Sequence, residues 1–252
     1  MRMNTSNDPN GRRGDRCEFA LSHRPNLRRV EIEITTRCNL MCRHCDRRCS
    51  QAPAEVDIQF EDIERFVAES RTLGYQWEKI ALLGGEPTLH PNLEEIIGTI
   101  SDFVGTLEAC EFFLVTNSCG RDVKRTIRSI DSLISIEKRP KSPNEPWFTN
   151  MDLAPIDVAE SVTSCEITSI CGLGLTPWGY FPCGAGAAIA RSLDLDIGIR
   201  SLRDVNEENM IALLERLCQF CGHALPTAAG KDDSVSPFWE KATADYRLRH
   251  RL

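Results

Sequence analysis

The sequence predicts an α/β protein: a parallel sheet built from repeated strand–helix units, followed by a small unit made of a β-hairpin and a helix. Three observations predict it. Apolar residues alternate at Val30, Ile32 and Ile34, the period of a strand. Beyond them, segments with helical spacing and short apolar runs take turns as far as about residue 153, the order of βαβ units. From about residue 162 the composition changes to cysteine, glycine and turn formers. A chain of 252 residues suffices for one large domain, or for a domain with a small appendage.

Composition narrows the class. The hydrophobic fraction of 41% is that of an ordinary globular protein. Net charge is -7 with no long Lys/Arg block, so nucleic acid is not an expected partner. No run reaches the roughly 18 apolar residues that a membrane span needs. Residues 1–16 are polar and lack the apolar core of a signal peptide. Twelve cysteines then need a use. A secreted disulfide framework is one; metal-holding thiols in a reduced cytoplasm are the other, and the polar N-terminal residues favour them.

Taken in order, residues 1–25 are rich in Asn, Arg, Gly and Asp and read as a mobile arm, with Cys17 a bystander. Residues 30–35 form the first strand. Cys38-Asn-Leu-Met-Cys42-Arg-His-Cys45 follows, a CxxxCxxC spacing. Three thiolates so close can converge on one 4Fe–4S cluster, which usually has four cysteine ligands, and so leave one iron open. A zinc site is the alternative use of close thiolates, although zinc more often takes CxxC pairs. Cys49 trails the trio by four residues as a bystander at the loop's end, with a ligand or donor role the alternative. Phe60, Ile63, Phe66, Val67 and Leu73 recur at helical spacing, with Gly74 as the stop. Residues 79–83 form a second strand, ending in Gly84-Gly85-Glu86-Pro87. Glycines let that turn be sharp and let backbone approach a ligand, and Glu86 puts a carboxylate at the strand end. Asn92 and Glu95 match a capping box, opening a helix that turns Leu93, Ile96, Ile97, Ile100 and Phe103 inward. A third strand at 112–115 ends in Thr116-Asn117-Ser118-Cys119-Gly120. A helix at 121–130, a strand at 133–136, a Lys/Pro-rich loop at 138–146 and a fifth strand at 148–153 complete the series.

The cysteine trio after the first strand, with Gly84-Gly85-Glu86-Pro87 about 40 residues later, resembles the radical S-adenosylmethionine (radical SAM) superfamily. The resemblance implies a partial (β/α)6 TIM-like barrel over residues 26–160, short enough that the last units are trimmed. It implies that Cys38, Cys42 and Cys45 hold the SAM-binding 4Fe–4S cluster, whose open iron SAM chelates. It implies that the backbone of Gly84, Gly85 and Pro87 and the side chain of Glu86 meet the amino group of SAM. The third strand end lies near SAM in the family and often reads TNG. Ser118 replaces that glycine here, with Thr116 and Asn117 as candidate contacts. His44 takes the place of an aromatic against the adenine.

The later part reads as a hairpin turned by Pro177-Trp178-Gly179 and delivering Cys183, a small-residue helix at 185–192, and a helix at 207–217 that ends at Cys218-Gln-Phe-Cys221. Over residues 161–226 it resembles the twitch domain, the shorter relative of the SPASM domain, which holds an auxiliary 4Fe–4S cluster. Cys183, Cys218 and Cys221 are then ligands, and Cys165 and Cys171 compete for the fourth place. The Cys165-to-Cys183 spacing resembles a twitch-type aminocyclitol dehydrogenase, whereas Cys171 is closer to the SPASM consensus. A zinc ribbon is the alternative. The tail at 227–252 is polar and reads as a solvated helix or loose end.

What the resemblance implies chemically is reductive cleavage of SAM and removal of a substrate hydrogen atom, with a flavodoxin- or ferredoxin-type protein as reductant and a small molecule or peptide as substrate. A second cluster suits oxidation of a secondary alcohol, with Asp152 and Glu137 as candidate bases at strand ends. Epimerisation with Cys119 as hydrogen donor is the second reading, and peptide crosslinking the third; the arm is too short to fold as a peptide-recognition domain. A non-catalytic metal-binding module is the reading from another class, and SAM cleavage separates it from the rest.

Overall fold

A computed structural model of the chain describes residues 23–42, 45–53, 55–139, 165–224 and 235–252. Strand β1 (Arg29–Thr35) lies inside a six-stranded sheet of order β4-β3-β2-β1-β5-β6. To one side stand β2 (Lys79–Gly84), β3 (Glu111–Thr116) and β4 (Ser135–Lys138), each parallel to its neighbour. Helices α1 (Phe60–Thr72), α2 (Leu93–Val104) and α3 (Arg121–Ile130) connect them. After a single turn, α4 (Ile167–Ile170), strand β5 (Leu173–Thr176) pairs parallel with the other edge of β1 and antiparallel with β6 (Gly179–Phe181). The cysteine-rich hairpin thus continues the sheet of the strand–helix units. Helices α5 (Gly184–Ser192), α6 (Glu207–Leu217) and α7 (Pro237–His250) follow.

One core serves the whole arrangement. Val30, Ile32 and Ile34 join Ile63, Phe66, Ile96, Ile100 and Phe103, and the same cluster takes in Leu173, Ile189, Leu214 and Trp239. Each such side chain contributes about 1.5–3 kcal/mol as an upper bound. Trp77 is buried without a polar cost, because its indole N–H donates to the Ser70 hydroxyl at 3.0 Å. The alternate residues of β1, Glu31, Glu33 and Thr35, are buried as well. Register sets Glu31 beside Ala81 and Gly174, and Glu33 beside Leu83. A strand buried on both faces is ordinarily apolar on both. Here one face carries carboxylates, which the site below explains.

Several local expectations change. Asn92 caps α2 without a side-chain hydrogen bond; its own N–H donates to His90 Nδ1 at 3.1 Å, so no capping box forms. Leu73 lies past the end of α1 and is exposed, while Gly74 takes the left-handed φ of +64° that stops the helix. The fourth strand begins at Ser135 because the turn after α3 uses residues up to Ile134, which bonds back to Ile130. Within the tail, residues 237–250 form a packed helix: Trp239, Ala242 and Tyr246 recur one turn apart and are buried. The fifth strand at 148–153 lies outside the described residues. Among the described residues no helix is long and apolar enough to cross a membrane.

Candidate active site

The site begins where β1, β2 and β3 end together. Gly85 N–H donates to the Thr35 carbonyl at 2.8 Å and Glu86 N–H to the Arg37 carbonyl at 2.7 Å. A Cβ at Gly84 would stand 2.3 Å from the Thr35 oxygen, and one at Gly85 2.2 Å from the Arg37 oxygen. The two glycines therefore let the turn lie against the root of the cysteine loop. What approaches them is protein backbone.

Glu86 is fully buried. Its Oε1 accepts from the Thr88 N–H at 3.2 Å, the Thr88 hydroxyl at 2.7 Å and the Thr116 hydroxyl at 2.8 Å. Its Oε2 accepts from the Asn117 N–H at 2.8 Å. One carboxylate thus ties the end of β2 to the end of β3. Asn117 carries the link onward. Its Nδ2 donates to Asn39 Oδ1 at 2.9 Å, its Oδ1 accepts from Cys119 N–H at 2.7 Å, and Asn39 Nδ2 donates to the Cys119 carbonyl at 2.8 Å. Sequence reasoning missed Asn39, whose signal was a lone amide beside Leu40 and Met41. Cys119 is partly exposed and held by its backbone against the cysteine loop.

Cys38, Cys42 and Cys45 share one electrostatic neighbourhood. Burial pushes the Cys38 thiol up to about 11, and Cys45, Cys42 and the Glu86 carboxylate add to the shift. A hydrogen bond with Cys49 holds the Cys45 thiol below its ordinary value and drives that of Cys49 well above it. Cys49 is therefore a buried neighbour of the trio. The loop is pinned from outside. Gln51 donates to the Cys42 carbonyl at 3.0 Å, and Arg48 N–H to that of Cys45 at 2.9 Å. The Arg48 guanidinium lies 4.0 Å over the Trp239 ring and donates to Thr243 at 2.9 Å, both on α7. Arg191 of α5 donates to the carbonyls of Arg47, at 2.7 Å, and Ala52.

A second thiol neighbourhood contains Cys165, Cys183, Cys218 and Cys221. Burial pushes Cys183 up to about 12, with Cys221 and Cys165 contributing. Burial raises Cys218 further, with Cys183, Cys221 and Cys165 all acting on it. Cys171 stands apart: burial pushes it up to about 12, and its electrostatic and hydrogen-bond partner is Glu31. Of the two competitors for the fourth place, Cys165 is the one whose charge acts on Cys183 and Cys218. Two imidazoles flank this group, His23 Nε2 at 3.6 Å from Cys218 Sγ and His223 Nδ1 at 3.6 Å from Cys221 Sγ.

A buried charged cluster adjoins Gly184, the residue after Cys183. Arg47, two residues after Cys45, pairs with Glu31 through Nη2, while its Nη1 stands 4.0 Å from Glu33 Oε2. That Nη1 and Glu33 Oε2 have no hydrogen-bond partner among the described residues. Burial raises the Glu33 carboxyl above the usual range, against the pull of Arg47 and Arg191. Gly184 makes room for the guanidinium, since a Cβ there would overlap Nη1.

Among the described residues no three His, Cys, Asp or Glu side chains are drawn together tightly enough to hold a single metal ion. Each cysteine of a 4Fe–4S cluster binds a different iron, so its sulfurs are spaced more widely than those around one ion. An all-thiol trio with hydrogen-bonded neighbours, and an all-thiol quartet, fit that group. His44 and Asp152 lie outside the described residues. Glu137 is engaged with Arg139 at 2.7 Å.

Residues 32–135 match the family described as Radical SAM superfamily. Those residues carry a radical SAM domain. It is similar to the probable GTP 3′,8-cyclase of Pyrococcus abyssi (strain GE5 / Orsay), 40% identical over 75 residues that cover 30% of this chain and 24% of that protein. It is also similar to the GTP 3′,8-cyclase of Campylobacter jejuni (strain RM1221), 27% identical over 195 residues, 74% of this chain and 51% of that one. The chain thus spans from about a quarter to about half the length of the curated relatives it matches. Among solved structures, "Crystal structure of BtrN in complex with AdoMet and 2-DOIA" aligns at a TM-score of 0.51 and 14% identity, covering 85% of this chain and 100% of that one. That likeness is one of fold.

Proposed function

We propose that this radical SAM enzyme oxidises a hydroxyl-bearing small molecule, removing a hydrogen atom, a proton and an electron to leave a carbonyl. The observation that carries the reading is the second group of thiols, Cys165, Cys183, Cys218 and Cys221, whose charges act on one another. When bound, SAM and the cluster at Cys38, Cys42 and Cys45 supply the hydrogen-abstracting radical, and a second 4Fe–4S cluster at the quartet supplies an electron acceptor. The chain's own residues do the rest. The loop after β1 presents the first three thiolates. The turn Gly84-Gly85-Glu86-Pro87 receives the amino end of SAM, and the inward carboxylate of Glu86 fixes its shape. Glu33 is equipped to take the hydroxyl proton: it is on the carboxylate-bearing face of β1, its Oε2 receives no hydrogen bond among the described residues, and burial raises its proton affinity. A flavodoxin- or ferredoxin-type protein is the reductant in this reading, the cytoplasm its place, and neither nucleic acid nor membrane a partner.

Anaerobically reconstituted protein should bind about eight irons and eight sulfides per chain. With a deuterated alcohol substrate, label should pass into 5′-deoxyadenosine as the ketone forms. About four irons together with one zinc would remove the oxidation reading. A second reading is favoured by the similarity over 195 residues to a GTP 3′,8-cyclase: action on GTP. GTP consumption with label transfer from the ribose would establish it in place of oxidation.

A further inference from the structure

Three sulfurs of the second quartet each face a nitrogen. Gly186 N–H donates to Cys183 Sγ at 3.2 Å. His23 Nε2 stands 3.6 Å from Cys218 Sγ, and His223 Nδ1 stands 3.6 Å from Cys221 Sγ. A metal-bound thiolate can only accept a hydrogen bond, so the imidazole nitrogen facing it must carry the proton. His23 is buried, and its other nitrogen, Nδ1, has no partner among the described residues. Its contact with Cys218 is thus the ring's polar engagement, made across 195 residues of chain. A cation also stands close by: the Arg47 guanidinium fills the space at Gly184, the residue after Cys183. Reduction makes a cluster more negative, so N–H···S hydrogen bonds and a nearby cation favour the reduced form and raise the potential.

We infer that His23 and His223 are positioning residues, donating hydrogen bonds to the ligating sulfurs of Cys218 and Cys221 and holding the second cluster at a higher reduction potential than it would have without those bonds. This rests on the proposed second cluster. It gives the oxidation a direction: one electron leaving the substrate radical is taken up at the quartet, whose oxidised cluster is reduced by one electron. Neither histidine lies in a cysteine motif that sequence alone would single out.

An EPR-monitored redox titration of the reconstituted full chain, without SAM, tests it. The chain with Cys38, Cys42 and Cys45 replaced by Ala identifies which signal belongs to the second cluster. His23→Phe and His223→Phe should each shift its reduction equilibrium about tenfold toward the oxidised form, about 59 mV downward for a one-electron couple, with iron still near eight. His23→Gln and His223→Gln, which keep an N–H donor, should recover most of that shift. Unchanged midpoints at full iron content would overturn the inference alone. Loss of about four irons in the Phe variants would also overturn it, making the histidines ligands or props. A wild type with no second cluster would take down the proposed oxidation along with it.

Discussion

Replacing Glu86 by Gln isolates what that carboxylate does. Oε1 accepts three hydrogen bonds from Thr88 and Thr116, and the amide oxygen of glutamine can keep them. Oε2 accepts from Asn117 N–H at 2.8 Å, and there the glutamine NH2 would put donor against donor. The variant loses one charge-assisted bond, leaves a buried donor unpaired and weakens the other three. Together these amount to roughly 3 kcal/mol. For a chain of this length that lowers Tm by roughly 6–12 °C. Circular dichroism melts of the purified chain without SAM measure it, and SAM affinity should fall in parallel because the turn loses its shape. A Tm within a degree of wild type, with SAM affinity lost, would refute this reasoning: the carboxylate would then face the ligand rather than the ends of β2 and β3.

The remaining predictions are smaller. Cys165→Ser should remove the second cluster, about four irons, whereas Cys171→Ser should leave iron content unchanged, as measured by iron and sulfide analysis. Glu33→Gln should leave SAM cleavage intact and slow product formation. It should also flatten the pH dependence of stability. The fold raises the Glu33 carboxyl, so the associated stability is present below the ordinary carboxylate range and lost as pH rises through the folded value. A Tm–pH profile identical to wild type would count against it. Cys119→Ala should leave both SAM cleavage and substrate turnover nearly unchanged; a variant that consumes SAM and stalls before product would favour epimerisation with Cys119 as hydrogen donor.

The parts of the site legible in the sequence are those written locally. CxxxCxxC after a strand, and GGEP after the next, announce themselves because the groups that act together are neighbours in the chain. The pairing of β5 with β1 was not legible, and it sets Gly174 beside Glu31, the carboxylate that acts on Cys171. Glu31 and Glu33 occupy the polar phase of an alternating strand, a pattern that ordinarily means solvent, yet both are buried against Arg47. Residues 237–250 hid their packing because charged residues surround Trp239, Ala242 and Tyr246. Asn92 and Glu95 matched a capping box, but His90 had already accepted the Asn92 N–H. His23 meets Cys218 only through the fold.

The most direct test of the account is whether the chain cleaves SAM. Anaerobically reconstituted, dithionite-reduced protein incubated with SAM should release 5′-deoxyadenosine and methionine, and replacing Cys38, Cys42 and Cys45 by Ala should abolish both while about four irons stay bound. A wild type that holds its full iron and binds SAM yet releases no 5′-deoxyadenosine would contradict it and leave a metal-binding module in its place.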